Sequence, residues 1–289
     1  MQAPDLPRIP ERERTGHKGS YGRVLIIAGS RGMSGAAALA GSAALRGGAG
    51  LVYVATAESL IPIVAGIEPS YLTIPLPEDA QGKISVGAQR VLWPLLSQYD
   101  AIAVGPGLGQ SDDLFMLVQW LYQTVSVPLV CDADALNLLS RLAGRLPKAA
   151  GPRILTPHPG EFSRLSRTAV DTIAAQRSEL AGRYAKENGI VLVLKGAGTV
   201  ITDGTRTAVN TTGNPGMATG GTGDVLTGLI AALLAQQIEP FAAAQLGVYL
   251  HGLAGDLAAA ELSEPGLIAS DLPRYLGRAW TQYFSQCDK

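Results

Sequence analysis

The chain has 289 residues, of which 47% are apolar, 16% charged and 35 glycine, enough to bury a substantial core. Soluble proteins average roughly 25% charged residues, so the low charge here argues against disorder, which needs low hydrophobicity and high net charge. The 23 Lys and Arg nearly cancel the 24 Asp and Glu, leaving no strong field for nucleic acid or anionic lipid.

The first twenty residues are polar and broken by proline, with no apolar signal core. Residues 1–15 read as a loose, flexible arm ahead of a single domain, 16–289. Apolar strands are expected at 24–28, 51–55, 101–104, 129–131, 153–155, 190–194, 200–202 and 207–210. Several are β-branched and apolar on both faces, as strands buried between helical layers should be. Helices are expected at 36–47, 114–122, 135–143 and 170–186, and from 222 almost to the end, with breaks near Pro240 and Pro265. This alternation predicts an α/β fold with a mostly parallel sheet covered on both faces. Asp203-Gly204 marks a local antiparallel hairpin. The longest apolar runs, 35–45 and 225–235, fall well short of the about 20 residues a spanning helix needs. Cys131 and Cys287 make neither a disulfide framework nor a CxxC zinc pair. These features describe a cytoplasmic globular protein.

Open parallel sheets place ligands beyond the carboxyl ends of their strands, and the unusual loops of this chain follow predicted strands. They are Gly105-Pro-Gly-Leu-Gly109, Asp132-Ala-Asp134, Thr156-Pro-His158-Pro-Gly-Glu161 and Lys195-Gly196-Ala197-Gly198-Thr199. The densest run, 213–224, holds five glycines in the eleven residues before Asp224 and opens into an apolar helix. Glycines let backbone approach a ligand closely, and unpaired N–H groups at a helix start attract anions. Asp224 beside such an anion hole reads as a catalytic base, or else as a helix cap. Thr222 adds a hydroxyl donor.

The other loops carry alternatives too. Gly107 belongs to a ligand loop or a plain turn. His158, held between two prolines, is a ligand contact or a satisfied histidine, and Glu161 a functional carboxylate or a first-turn acid. Lys195 pairs with phosphate or ends a strand. Asp132 and Asp134 hold Mg²⁺ through water or form turns. His17 and His251 have no partner at metal spacing and read as structural. Asp132 beside Cys131 raises the thiol's pKa and argues against a nucleophile. The P-loop, Rossmann and nucleophile-elbow signatures are all missing.

Together these loops resemble the ribokinase-like superfamily, and within it the ADP/ATP-dependent NAD(P)H-hydrate dehydratases. The resemblance runs through HKGSYG (17–22), AGS (28–30), GPGLG (105–109), DADAL (132–136), LTPHPGEF (155–162), KGAGT (195–199), NPGMATGGTGD (214–224) and YLHG (249–252), from about residue 16 to 276. It implies a three-layer α/β/α fold and repair of the S epimer of NADH-hydrate or NADPH-hydrate. Gly107, His158 and Asp224 would contact the hydrated cofactor, with Ala36 or Ala43 lining the same site. Lys195, Gly196, Ala197, Gly198, Thr199 and Gly223 would hold ADP or ATP, and the backbone around Gly220, Gly221, Thr222 and Gly223 would face the transferring phosphoryl group with Mg²⁺. The run NPGMATGGTGD looks bacterial, which points to ADP. Glu161 stands where many of these kinases keep a glutamate near the metal, but His158 replaces their asparagine. The resemblance also implies a homotetramer and a stand-alone form without the epimerase domain found in many members. An ordinary kinase of a small alcohol, such as a vitamin precursor, would need the same Asp224 and anion hole. A nucleotide-binding regulator without turnover would gain nothing from Asp224 near phosphate.

Overall fold

The computed structural model describes residues 6–9, 11–142 and 145–287. β1 (Arg23–Ile27) leads through α1 (Ser34–Arg46) to β2 (Leu51–Ala57), and through α2 (Ile61–Ile67) to β3 (Leu72–Leu76). The short α3 (Ala88–Leu92) precedes β4 (Ala101–Val104), α4 (Asp112–Thr124), β5 (Leu129–Cys131), α5 (Asp134–Leu139) and β6 (Arg153–Leu155). Next come α6 (Pro159–Ser166), α7 (Val170–Ala175), α8 (Arg177–Asn188), β7 (Val191–Leu194), β8 (Val200–Thr202) and β9 (Thr207–Val209). Three helices close the chain: α9 (Thr222–Ala235), α10 (Pro240–Leu262) and α11 (Leu272–Cys287).

The strands form one nine-stranded sheet in the order β3-β2-β1-β4-β5-β6-β7-β8-β9. Strands β1 to β7 pair in parallel, and β8 and β9 add an antiparallel edge through the expected hairpin. The predicted mostly parallel α/β sheet is therefore present. Val24, Leu25, Ile26 and Ile27 of β1 and all of β4 are fully buried, because helices cover both faces. α1, α9 and α10 pack together on one of them. Right-handed crossovers in the opposite direction place α4 and the α6–α8 segment on the other.

Several expectations change. β3 was not anticipated: Leu72 is exposed and Pro75 interrupts the pattern, and proline is tolerated because this strand lies at the sheet edge. The helix expected at 170–186 is two helices, separated at Gln176 with φ −132° and ψ 39°. The helix expected at 135–143 closes at Leu139, and residue 143 lies outside the described residues. The described part of the arm is docked rather than loose. Leu6 and Ile9 pack against the core, and Tyr283 donates its hydroxyl hydrogen to Pro7 O at 2.6 Å. Cys131 is fully buried, and burial, with Asp132 adjoining, pushes its thiol up to about 12, in line with an inert cysteine. Among the described residues no helix is long and apolar enough to cross a membrane.

The seam between α1 and α9 runs directly beneath the strand ends, and Gly228 lets the helices meet: a Cβ there would press on the Ala40 carbonyl. Gly228→Ala is therefore expected to cost ~1–3 kcal/mol by overpacking, read as a lower urea midpoint with the same slope.

Candidate functional site

The sheet order reverses between β1 and β4. The chain leaves β1 toward β2 and leaves β4 toward β5, so the two loops separate and open a crevice at the strands' carboxyl ends. The Gly29 N–H donates to Pro106 O at 2.8 Å, and the Ser30 hydroxyl donates to Gly107 O at 2.8 Å. Gly107 has φ +60°, and a Cβ on it would lie 2.8 Å from Ala36 Cβ. Ala36 and Gly107 thus form a small-residue wall. The crevice holds about 440 Å³ and is lined by Met33, Ala36, Gly107, Asp134, Glu161, Gly221 and Asp224 among others. Ala43, by contrast, is fully buried in the core and does not line this space.

Asp224 lies in the first turn of α9, whose N-cap is Gly221 at φ +96°. The cap position is thus filled by a residue without a side chain, and Asp224 is not the cap. Gly221 is needed twice over, for its left-handed backbone and because a Cβ would sit 2.7 Å from Leu39 Cδ1. Thr222 turns its hydroxyl to Thr219 O at 3.1 Å, bracing the loop. Among the described residues the Asp224 carboxyl has no hydrogen-bond partner. Burial, followed by the charge of Asp132, pushes it up to about 7, with Lys195 opposing and Asp134 and Glu161 reinforcing the rise.

Lys195 follows β7 and lies behind the crevice lining, beside Glu161. Its Nζ lies 2.7 Å from Asp132 Oδ1 and 3.9 Å from Glu161 Oε2. Asp132 Oδ2 accepts the Thr227 hydroxyl at 2.8 Å. Burial works against the ammonium, but Asp132 and Glu161 hold it above its ordinary value. A Cβ on Gly223 would stand 3.2 Å from Lys195 Nζ, so the α9 start and the lysine meet closely. The rest of the loop, Gly196, Ala197 and Gly198, is exposed, while buried Thr199 donates its hydroxyl to Gly196 O at 2.8 Å. Arg177 clamps this loop from α8, donating to the carbonyls of Leu194, Lys195 and Ala197.

His158 caps α6, and Glu161 lies in its first turn, which is one of the two readings the sequence offered for it. Its Nδ1 accepts the Gly160 and Glu161 N–H groups at 3.0 and 3.4 Å, while Glu161 Oε2 accepts the His158 N–H at 2.8 Å. Burial, then Lys195 and Arg164, lower the His158 pKa, so the ring is neutral with its hydrogen on Nε2, facing Glu161 Oε1 at 3.4 Å. Burial raises the Glu161 carboxyl against the pull of Lys195. Asp134 accepts the Gly109 N–H at 2.7 Å and a Gln110 amide hydrogen at 2.8 Å. His17 caps the short turn Lys18–Tyr21. His251 reads as structural in the sequence, and it is half-buried with Nε2 2.9 Å from Thr222 O, bracing the start of α9. Burial brings its pKa down to about 4, so it is neutral and donates that hydrogen. Arg177, Thr227 and this contact of His251 were missed because they act across long sequence separations; the nearest hint was the YLHG run.

A family model described as NAD(P)H-hydrate dehydratase matches residues 24–278. The chain belongs to the NAD(P)H-hydrate dehydratase family. It is 47% identical over 271 residues to the bifunctional NAD(P)H-hydrate repair enzyme Nnr of Moorella thermoacetica, covering 93% of this chain and 51% of that protein. The chain thus spans about half the length of the first such relatives. It is 39% identical over 281 residues to the ADP-dependent (S)-NAD(P)H-hydrate dehydratase of Bacillus subtilis, with 95% of each chain covered. The crystal structure of the ADP/ATP-dependent NAD(P)H-hydrate dehydratase from Bacillus subtilis, co-crystallised with ATP/Mg²⁺, superposes with a TM-score of 0.82. It is 37% identical and covers 95% of this chain and 94% of that one.

Among the described residues no three His, Cys, Asp or Glu side chains converge as a metal site. That suits Mg²⁺, which usually takes one or two carboxylates and completes its shell with water and substrate phosphates. Glu161 faces the crevice and Asp134 lines it, so the donor set fits an ion arriving with a nucleotide.

Two outcomes test this charge balance. Lys195→Met leaves Asp132 buried without its cation and is expected to cost ~3–5 kcal/mol in chemical denaturation, part of which returns when Asp132→Asn is added. Asp224 behaves oppositely. A carboxyl raised from 3.8 to about 7 costs stability as pH rises from the first value to the second, and by a constant amount above it. Asp224→Asn should therefore melt higher than the parent at pH 8, with the gain fading as the buffer approaches pH 4.

Proposed function

We propose that this family member dehydrates the S epimer of NADH-hydrate or NADPH-hydrate back to the reduced cofactor, using ADP or ATP as phosphoryl donor. The observation that carries this reading is Asp224: a half-buried carboxyl without a hydrogen-bond partner among the described residues, pushed up to about 7, between a small-residue wall and a glycine-rich helix start. A general base works best when its pKa lies near the operating pH. The wall of Ala36 and Gly107 leaves room for a hydrated nicotinamide ring, and the turn 220–223 offers backbone N–H groups to phosphoryl oxygens.

Asp224 takes the proton from the ring hydroxyl as that oxygen attacks the terminal phosphorus. The bond to the donor's leaving phosphate breaks, releasing AMP from ADP or ADP from ATP. Lys195 and the N–H groups of Gly221 to Gly223 hold the donor's phosphates in line. Glu161 and Asp134 would hold a Mg²⁺ arriving with the nucleotide, and the ion would supply neutralisation of the phosphoryl charge. The new phosphate ester then departs with the carbon–oxygen bonding pair as the ring nitrogen's lone pair advances. The departing phosphate takes a proton from the neighbouring ring carbon, whose C–H bonding pair becomes the ring double bond and restores the dihydronicotinamide. The net result is removal of water driven by nucleotide cleavage. Gly196 to Thr199, fixed by Arg177, hold the adenine nucleotide. His158, neutral and half-exposed, offers its Nε2 hydrogen to the substrate. The same reading places the enzyme in the cytoplasm as a homotetramer.

The test follows absorbance of the reduced cofactor with S-epimer NADH-hydrate, Mg²⁺ and ADP, ATP or neither. Absorbance should rise only with nucleotide, with equal phosphate release, and the faster donor identifies the nucleotide used. Asp224→Asn should lower kcat by roughly 100- to 10,000-fold. In the parent, kcat/KM should climb with pH through about 7 as Asp224 ionises and then level. A flat trace with both nucleotides, together with a stable phosphorylated product from a small alcohol, would replace this reading with an ordinary kinase.

A further inference from the structure

The crevice beside Asp224 holds one amide that neither the base nor the donor loop uses. The polar side chains lining it are the carboxyl groups of Asp134, Glu161 and Asp224, and the amide of Asn137. Ionised carboxylates only accept hydrogen bonds, which leaves Asn137 as the side-chain N–H donor of this lining. Its orientation is fixed. Arg164, on α6, donates its Nε hydrogen to Asn137 Oδ1 at 2.9 Å, and a guanidinium carries donors only, so the atom it meets is the amide oxygen. The Nδ2 hydrogens are what Asn137 has left to offer the crevice, and among the described residues they have no partner.

The backbone is bent to present this amide. Ala133, itself in the lining, starts α5 at φ +49° and ψ −116°, a region that residues with a Cβ rarely adopt and that collects at ligand sites. From that start Asp134 and Asn137 stand one helical turn apart and share a face, and both line the crevice. Asp134 is occupied by the Gly109 N–H and the Gln110 amide. α5 packs against α4 and α6, whereas α9 packs against α1 and α10, so Asn137 and Asp224 approach the crevice from opposite faces of the sheet. The hydrated nicotinamide ring is divided in the same way. Its hydroxyl-bearing carbon and its carboxamide-bearing carbon are para to each other, so a hydroxyl at Asp224 directs the carboxamide toward α5.

We propose that Asn137 is a specificity-determining residue, donating an Nδ2 hydrogen to the carboxamide oxygen of the hydrated ring, and that Arg164 is the positioning residue that keeps the amide turned that way. The inference rests on the dehydratase reading above and adds to it the contact that recognises the end of the ring remote from the reaction. The carboxamide takes no part in phosphoryl transfer, so the contact is as strong before that step as during it and contributes to binding rather than to turnover. A ring with a poorer acceptor at that place leaves the amide donor unpaired and is disfavoured.

The test compares two substrates in the full chain with Mg²⁺ and nucleotide: S-epimer NADH-hydrate and the same hydrate of its thionicotinamide analogue, in which sulfur, a weak acceptor, replaces the carboxamide oxygen. The quantity read is the ratio of kcat/KM for amide over thioamide. Asn137→Ala should lower it about three- to tenfold, the worth of one hydrogen bond, by raising KM for NADH-hydrate while kcat and KM for the nucleotide stay as in the parent. Arg164→Met should move the ratio the same way by a smaller factor, and Arg164→Lys, which still donates to Oδ1, should restore it. A partial loss of folding scales both substrates alike and leaves the ratio unmoved. A ratio that neither Asn137→Ala nor Arg164→Met shifts, or a loss that falls on KM for the nucleotide, overturns the carboxamide contact and leaves the dehydratase reading standing. Failure of the parent to convert NADH-hydrate with either nucleotide overturns the dehydratase reading, and the contact falls with it.

Discussion

Four carboxyl groups converge on the crevice and one buried cation answers them, and the chemistry of the site depends on that imbalance. Lys195 is committed to Asp132 at 2.7 Å and leans on Glu161 at 3.9 Å. Asp134 is satisfied separately by the Gly109 N–H and the Gln110 amide. Asp224 is therefore left half-buried without a dedicated partner, where each neighbouring negative charge disfavours its ionisation and Lys195 opposes them. The Asp132–Thr227 bond ties the ion pair to the helix that carries Asp224.

The parts of this arrangement legible in the sequence are those whose signal is local. β4, β5 and the part of β1 from Val24 on declare themselves because both of their faces are buried and their runs are uniformly apolar. Lys195, Gly107 and Asp224 stand out because each sits at the end of such a run or in a dense glycine loop. β3 escaped because an edge strand with one exposed face and a proline has no distinctive pattern. α6 is hinted at only by Glu161 as a first-turn acid, and only the folded chain shows an imidazole in the capping role usually taken by Ser, Thr or Asp. Thr227 meets Asp132 across 95 residues, and Arg177 meets the Lys195 loop across 18. No periodicity encodes such pairs. Ala36 and Ala43 illustrate the limit well: they lie two turns apart on the same stripe of α1, yet only Ala36 lines the crevice while Ala43 is in the core, and composition alone treats them alike.

The crevice offers one free carboxyl, and the proposed reaction needs no second protein base, because the departing phosphate takes the ring-carbon proton. On an ordinary alcohol, phosphorylation ends the chemistry, because no adjacent lone pair can expel the phosphate. In a hydrated nicotinamide the hydroxyl-bearing carbon also bears the ring nitrogen, so the substrate itself provides the push once its hydroxyl has become a phosphate ester. The protein then has only to ionise the hydroxyl, align the donor and keep bulk water away from the phosphoryl group. This matches the disposition of the remaining titratable groups. His158 is neutral with Nδ1 consumed by the α6 cap, His251 is neutral and committed to Thr222 O, and Cys131 is sealed in the core. A site arranged for kinase chemistry can thus complete a dehydration without any added acid or base, provided that its small-residue wall admits a substrate whose own ring finishes the work.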